Sequence, residues 1–480
     1  MLAVLRASAS LAGLMAIAAV LCAAIALALG DMAGTSLFTG QAGILLFLAL
    51  GVRIGFSERQ MHLDRQIGFR VLILLWLFGI AAATPPFWIL TDVPLHLAFF
   101  EAASALTTTG GTVYRDLSDV SAAIIAWRAL LQWLGGLLTL AAIIVVLAPS
   151  GAGGTPVLRF GGDSQQILRH RLGGVVTMYG AITVACFALL VIAGLEVFDA
   201  FTLTLSTVST GGMMPRNGSL SDFGAPLAEW VIGFFMLIGA TSLTWHRLVA
   251  TGRLGRSITL IESLSIAAIA AVLGVAYAIA FAAAAGSGLV LGPLDALREG
   301  FVTAASLVST TGFEARNAGA TVLPLSLALV VVLIGGGMFS TAGGLKLYRA
   351  AYMGQHAVKE LEHIIYPHAV YTDHMGRFAY DTDGMRAIWT ALVLLLGFWA
   401  LTTMAVAISG FPAEAAVVAA LASIVNIGPL YEFGWAPPEA WPGYSEMQPL
   451  AAVVLSIAMV AGRLEVIGLI AGFSGRFLRQ

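Results

Sequence analysis

Apolar runs of about 20 residues, the length a helix needs to cross the hydrocarbon of a bilayer, recur along the whole chain. They leave little room for anything else. Only 10% of the 480 residues are charged and 59% are hydrophobic, where soluble domains carry roughly 25% charge. Mean hydropathy is +0.92. Lipid is therefore the main solvent, and helices are expected because they satisfy their own backbone in hydrocarbon. The fold class read here is an all-α integral membrane protein.

Spans are expected near 9–30, 40–56, 70–90, 123–148, 173–195, 226–249, 258–285, 321–350, 387–409 and 447–471. The first run is too long for a typical signal-peptide core of about 7–15 residues and is read as a retained span. Between the long runs lie four shorter apolar segments, 97–109, 199–211, 299–311 and 413–427. Segments of that size suit re-entrant elements. With the N-terminus inside, Lys and Arg divide 18 inside to 4 outside (Arg115, Arg216, Arg298 and Arg316), leaving Arg128 and Arg463 at or in the membrane. The positive-inside rule then places both termini in the cytoplasm and all four short segments on the outer side. A net charge of −2 offers no broad basic face to nucleic acid. Cys22 and Cys186 both lie in apolar runs and read as packed thiols.

The short segments repeat. Aligned without gaps on Gly110, Gly212, Gly312 and Gly428, they place Phe99, Phe201 and Phe301 eleven residues earlier. Ser104, Ser206 and Ser306 stand six before the glycine, and Thr108, Thr210 and Thr310 two before. Arg216-Asn217 and Arg316-Asn317 follow in the second and third copies, with Arg115-Asp116 shifted by one in the first. The fourth copy carries Ala422 and Asn426 at the serine and threonine positions. Gly111 and Gly211 are adjacent alternatives for the register of the first two copies. The glycines are 102, 100 and 116 residues apart. Repetition at a nearly fixed period signals repeated architecture: four units of helix, re-entrant loop and helix, packed with pseudo-fourfold symmetry around a central pore.

A half-helix ending at membrane depth leaves carbonyls unpaired, which is tolerated only beside an aqueous cavity. Its C-terminal end also carries partial negative charge. Four such ends followed by glycines, whose backbone freedom lets carbonyls turn inward, form the kind of carbonyl cage that replaces an ion's hydration shell. The candidate filter is Thr108, Thr109, Gly110; Thr210, Gly211, Gly212; Thr310, Thr311, Gly312; and Asn426, Ile427, Gly428. Small-residue clusters of this type also serve as helix-packing notches, but four registered copies favour the cage.

With TTTGGT at 107–112, the STGG and STTGF loops, NIGP at 426–429, WRALLQWLGG at 127–136 and AGRLE at 461–465, the chain resembles the Trk/Ktr/HKT superfamily of potassium transporters over essentially its whole length. Two extra spans before the first repeat make it similar to the TrkH type. The resemblance implies two N-terminal helices in 1–66 and pore repeats at 67–150, 151–257, 258–385 and 386–480. It also implies K+ as the transported ion, held at Thr109, Gly110, Gly211, Gly212, Thr311, Gly312, Ile427 and Gly428. A homodimer in a bacterial inner membrane and a cytoplasmic nucleotide-binding regulatory ring of the TrkA kind are implied too. In that superfamily a serine replacing the first filter glycine accompanies sodium permeation; Gly110 stands here.

Residues 334–346, IGGGMFSTAGGLK, interrupt the third repeat's second span. Each mid-helix glycine costs about 1 kcal/mol against alanine, so Gly335, Gly336, Gly337, Gly343 and Gly344, with Ser340 and Thr341 between them, read as a flexible gate strip. A close-packed small-residue helix face is the plainer reading. Met338 and Phe339 stand where the resembled family has small residues, so the strip is expected to be stiffer or plugged by an apolar side chain. Arg463 in the last span costs about 3 kcal/mol unless it faces water or carbonyls, and it is assigned to the pore below the filter, beside the strip. Pairing with Glu465 is disfavoured because residues two apart on a helix face differently. His356, His363, His368 and His374, with Glu360 and Glu362, match no common metal-ligand spacing and read as a solvated docking surface. Asp199 and Glu299 are expected to complement half-helix N-termini, or to recruit cations. No converging nucleophile, base and metal-ligand set marks an enzyme. A secondary cation symporter coupled to H+ or Na+ with broken helices is the alternative to a channel-like pore.

Overall fold

The computed structural model describes residues 2–56, 65–143, 164–242, 246, 258–284, 292–366, 382–437 and 440–464, with side chains undescribed at 65–67, 164–171, 258–259, 284 and 382–384. Within them lie fifteen α-helices and no strand. Helices α1 (Leu2–Ala28) and α2 (Met32–Gly55) form a hairpin, and Asp31 caps α2 by accepting from the Gly34 amide at 2.8 Å. Four units follow. The first is α3 (Arg65–Leu90), α4 (Leu95–Leu106) and α5 (Ala122–Ala142); the second is α6 (Ser164–Ile192), α7 (Val197–Val208) and α8 (Pro226–Ala240). The third is α9 (Ile258–Ala284), α10 (Pro293–Val308), α11 (Leu325–Ile334) and α12 (Leu347–Ile365). The fourth is α13 (Thr382–Ile408), α14 (Ala413–Ile424) and α15 (Pro449–Arg463).

Seven of these helices are long and apolar enough to cross a membrane. Three expected spans are shorter in their described parts. α8 stops at Thr241, whose ψ of 160° is extended. α15 ends at Arg463, and 465–471 lie outside the described residues. The expected span 321–350 is two helices, because α11 ends at Gly335 with φ +68° and α12 starts only after Lys346 with φ +80°. Many of the predicted inner cations, among them Arg59, Arg159, Arg247, Arg253, Arg256, Arg377, Arg476 and Arg479, also lie outside the described residues.

Backbone satisfaction dictates how the first helices dock. Pro85 and Pro86 sit inside α3, and a proline cannot donate to the carbonyl four residues back. The Ala82 carbonyl thus released accepts from Gln41 Nε2 of α2 at 2.9 Å, and the next carbonyl, Ala83, accepts from Trp127 Nε1 of α5 at 3.2 Å. For Ala82 a neighbouring helix supplies the donor that Pro86 withholds, as a lipid environment demands. Alanine positions of α1, including Ala12, Ala19 and Ala26, are buried, and small residues let helices approach closely.

The half-helix α4 is tied to α5 by a buried ion pair. Arg128 Nε donates to Glu101 Oε1 at 2.8 Å, with both side chains almost fully buried (2% and 0% exposed). Glu101 also accepts from the Val113 amide at 2.9 Å and from Thr112 Oγ1 at 3.1 Å. Arg128 Nη1 also reaches the Met214 carbonyl of the second unit at 3.4 Å. Replacing Arg128 with Met leaves a buried carboxylate unpaired and should cost about 3–5 kcal/mol, read as a lowered unfolding midpoint in detergent. The double variant Arg128→Met with Glu101→Gln should recover most of that loss.

Candidate functional site

The four half-helices end alike. The amides of Thr108, Thr210, Thr310 and Asn426 donate to the carbonyls three residues back at 3.1, 3.1, 3.2 and 3.3 Å. The next amides, of Thr109, Gly211, Thr311 and Ile427, reach back five residues to Ser104, Ser206, Ser306 and Ala422 at 2.8, 2.7, 3.0 and 2.8 Å. This pair of bonds is a Schellman ending, which requires a left-handed residue at the turn. That residue has φ of 52°, 54°, 54° and 54° at Thr108, Thr210, Thr310 and Asn426. Glycine normally takes this place; a β-branched residue there is strained. The geometry selects the register on Gly110, Gly212, Gly312 and Gly428 and makes Asn426 the counterpart of the threonines.

Past the turn, Gly110, Gly212 and Gly312 have φ of 89°, 78° and 87°. The loops touch in chain order. A Cβ on Gly110 would lie 2.2 Å from the Gly211 carbonyl oxygen, and one on Gly212 would lie 1.9 Å from that of Thr311. One on Gly312 would meet Ile427 Cγ1 at 3.2 Å, and the Gly428 amide donates to the Thr109 carbonyl at 2.6 Å. The four loops therefore close a ring. Its fourth member differs: Gly428 begins a 3-10 turn, and Pro429 lies within 3.4 Å of where a Cβ on Gly110, Gly212 or Gly312 would stand. Several ring carbonyls are oriented from behind. Gln132 Nε2 donates to the Gly211 carbonyl at 2.7 Å and Tyr444 Oη to that of Gly428 at 3.1 Å. Each such oxygen keeps a second lone pair.

The strip 335–346 packs directly beneath this ring. It is a compact loop whose ends are joined, since the Leu345 and Lys346 amides donate to the Leu333 and Ile334 carbonyls at 2.8 and 2.9 Å. Its Gly337 amide donates to the Ala240 carbonyl at 2.8 Å, and its Gly343 amide to Thr310 Oγ1 at 2.7 Å. Thr341 Oγ1 lies 3.2 Å from Thr210 Oγ1, which donates to it. Arg463 donates to the carbonyls of Thr107 (2.5 Å) and Thr108 (3.3 Å), to Thr108 Oγ1 and to the Thr341 carbonyl. The residues Gly335, Gly336, Gly337, Ser340, Thr341, Gly343, Gly344 and Arg463 are thus gathered against three of the four left-handed residues. Met338 is buried, whereas Phe339 has φ +58° and lines a small pocket with Tyr179, Val208, His246, Ser340 and Thr341.

Several arginines beyond the ring are paired with carboxylates. Arg316 makes a two-pronged contact with Glu299 at 2.8 and 2.9 Å, Arg216 pairs with Asp199, and Arg298 binds Glu229 at 3.0 Å. Asp199 stands in the first turn of α7, but Glu299 is seven residues into α10 because that helix begins at Pro293. The helix-terminus expectation therefore fails for Glu299, and both carboxylates serve to hold the arginine that follows their own loop. His356 lies near Glu360 at 3.6 Å, while His368 and His374 fall outside the described residues, as does Glu465. Spacing alone gave no sign of Gln132, Tyr444 or Glu262. Glu262 and Gln132 share one signal: each is a strongly polar residue inside an apolar run, which marks function or pairing by default.

Fold and ring together define a multi-pass all-helical membrane protein built on four helix–loop–helix units behind two extra helices. A protein-family profile described as TrkH, cation transport protein, matches residues 40–260. The Trk system potassium uptake protein TrkH of Escherichia coli K12 is 28% identical over 464 residues, 90% of each chain. TrkG of the same organism is 26% identical over 463 residues, covering 93% of this chain and 92% of its own. The crystal structure of the potassium transporter TrkH from Vibrio parahaemolyticus superposes with a TM-score of 0.87 at 26% identity, covering 100% of this chain and 99% of that one. Over nearly its whole length the chain is thus similar to Trk potassium uptake proteins of the TrkH type.

Gly212→Ala tests the closeness of the ring. A Cβ there meets both a left-handed backbone and the Thr311 carbonyl. The strain and overpacking together should cost roughly 2–5 kcal/mol, measured by unfolding in detergent.

Proposed function

We propose that this chain carries potassium into the cell through a channel-like pore, with the four-loop ring as its selectivity filter and the 335–346 strip as its gate. The observation that carries this reading is the fourfold Schellman ending. Four half-helix C-termini point their partial negative charge at one closed ring of backbone. A dehydrated monovalent cation is what such carbonyl rings accommodate. On this reading K+ is held by the carbonyls of Thr109, Gly110, Gly211, Gly212, Thr311, Gly312, Ile427 and Gly428. Glutamine and tyrosine donors behind the ring fix the orientation of two loops without adding charge.

Below the ring, the strip and Arg463 act together. A guanidinium under the filter repels an arriving cation, and its bonds to Thr107, Thr108 and Thr341 hold the strip in place. Conduction then requires the strip to leave and Arg463 to turn aside. The names of the relatives support potassium uptake as the activity. By the same resemblance the chain works as a homodimer in a bacterial inner membrane, with cytoplasmic termini and a cytoplasmic nucleotide-binding ring controlling the gate.

The test is ion flux into liposomes holding the purified chain, comparing potassium, rubidium and sodium. Uptake of potassium and rubidium well above sodium, driven by the gradient of the ion alone, is the expected outcome. Strict dependence on a proton or sodium gradient would favour a symporter and overturn the channel reading. Gly312→Ser should reduce the potassium-over-sodium preference about tenfold, which corresponds to about 1.4 kcal/mol of lost discrimination.

A further inference from the structure

From the geometry around Glu262 we infer that this carboxylate is a positioning residue, the latch by which α9 holds the gate strip shut; the inference rests on the gate reading above. Glu262 lies one turn into α9 and is 5% exposed. Its Oε1 accepts from the Met338 amide at 2.9 Å, a bond that crosses from one helix of repeat 3 to the middle of the strip. The contact is close along its length. A Cβ added to Gly337 would lie 3.2 Å from Glu262 Cδ and 3.0 Å from Ile266 Cδ1. On the opposite side the Gly337 amide is held by the Ala240 carbonyl at 2.8 Å. Residues 337 and 338 are therefore clamped between the end of α8 and the α9 carboxylate.

A carboxylate buried in a membrane helix needs a reason. The cation whose charge reaches Glu262 is Lys346, at the end of the strip, and Lys346 Nζ itself donates to the Ala342 carbonyl. Glu262 Oε2 accepts no hydrogen bond among the described residues. The side chain thus does one directed thing, which is to accept from the strip. Buried away from water, a hydrogen bond meets no competing solvent partner, so this single bond weighs in the balance between a seated and a released strip. It also differs from the Arg463 contacts in kind. Arg463 grips strip and filter together, whereas Glu262 touches only the strip.

The experiment uses the full chain in liposomes, without any partner, and reads rubidium influx. Glu262→Ala should raise this influx about tenfold, the scale of one buried hydrogen bond. Glu262→Gln keeps an acceptor oxygen and should stay near the parent protein. Potassium-over-sodium preference should be unchanged in both, because Glu262 does not touch the ring. Met338→Pro deletes the donor from the strip side and should raise influx to a similar degree. Adding Glu262→Ala to it should bring no further rise, since residues that share one bond are not additive. The strip is followed independently with Phe339→Cys in a Cys22→Ala, Cys186→Ala background, where Glu262→Ala should speed labelling by a water-soluble thiol reagent. Parent-like flux and labelling in a folded Glu262→Ala protein would overturn the latch, as would a Glu262→Gln variant as leaky as the alanine. If the parent conducts no potassium while Glu262→Ala still speeds labelling, the latch stands and the transport reading falls.

Discussion

Everything near the centre of this molecule depends on one backbone constraint, the left-handed residue that ends each half-helix. A helix that stops inside a bilayer must dispose of its last carbonyls. The Schellman turn takes two of them and swings the chain out of the helix axis, so that the following residues run along the ring. Glycine would do this without strain. Threonine does it three times here and asparagine once, at φ between 52° and 54°. The side chains account for the choice. Thr108 accepts from Arg463, Thr210 donates to Thr341, Thr310 accepts from the Gly343 amide, and Asn426 donates to Thr109 and to the Met459 carbonyl. The strained positions are the ones that join the ring to what lies beneath it.

The second organising fact is where formal charge is kept. Glu101, Asp199, Glu229 and Glu299 each have an arginine partner. Pairing of this kind holds loops in register; Glu314, two residues past Gly312, stands outside it, its Oε1 accepting no hydrogen bond among the described residues. Arg463 is the exception on the other side: it is bound to neutral carbonyls and a hydroxyl and keeps its positive charge uncompensated by a salt bridge among the described residues. On the proposed pore reading, an ion that has passed the ring meets this fixed cation next.

How far the sequence could be read follows from the range of each interaction. The repeat was legible because a turn is local: serine, threonine and glycine at fixed offsets dictate the same five-residue closure in each copy. Even the fourth copy, with Ala422 and Asn426, keeps the spacing and hence the turn. The break after Ile334 was legible for the same reason, five glycines being incompatible with a quiet helix. What could not be read was pairing between separate elements. Nothing in the offset between Glu299 and Arg316 distinguishes a helix-terminus charge from an ion pair, and the actual start of α10 at Pro293 decided it. Gln132 and Glu262 were visible only as polar residues in apolar runs, because their partners, Gly211 and Met338, lie 79 and 76 residues away.

The joined ends of the strip carry a mechanical consequence. Compact loops whose termini meet behave as single bodies, and the bonds from Leu345 and Lys346 back to Leu333 and Ile334 make α11 and α12 meet at one knot. Tension applied along α12 would meet those two bonds before it reached the residues between them. The loop hangs beside the line of force, and a tug from the α12 end displaces it whole, like a bead on a bracket, with its internal shape preserved.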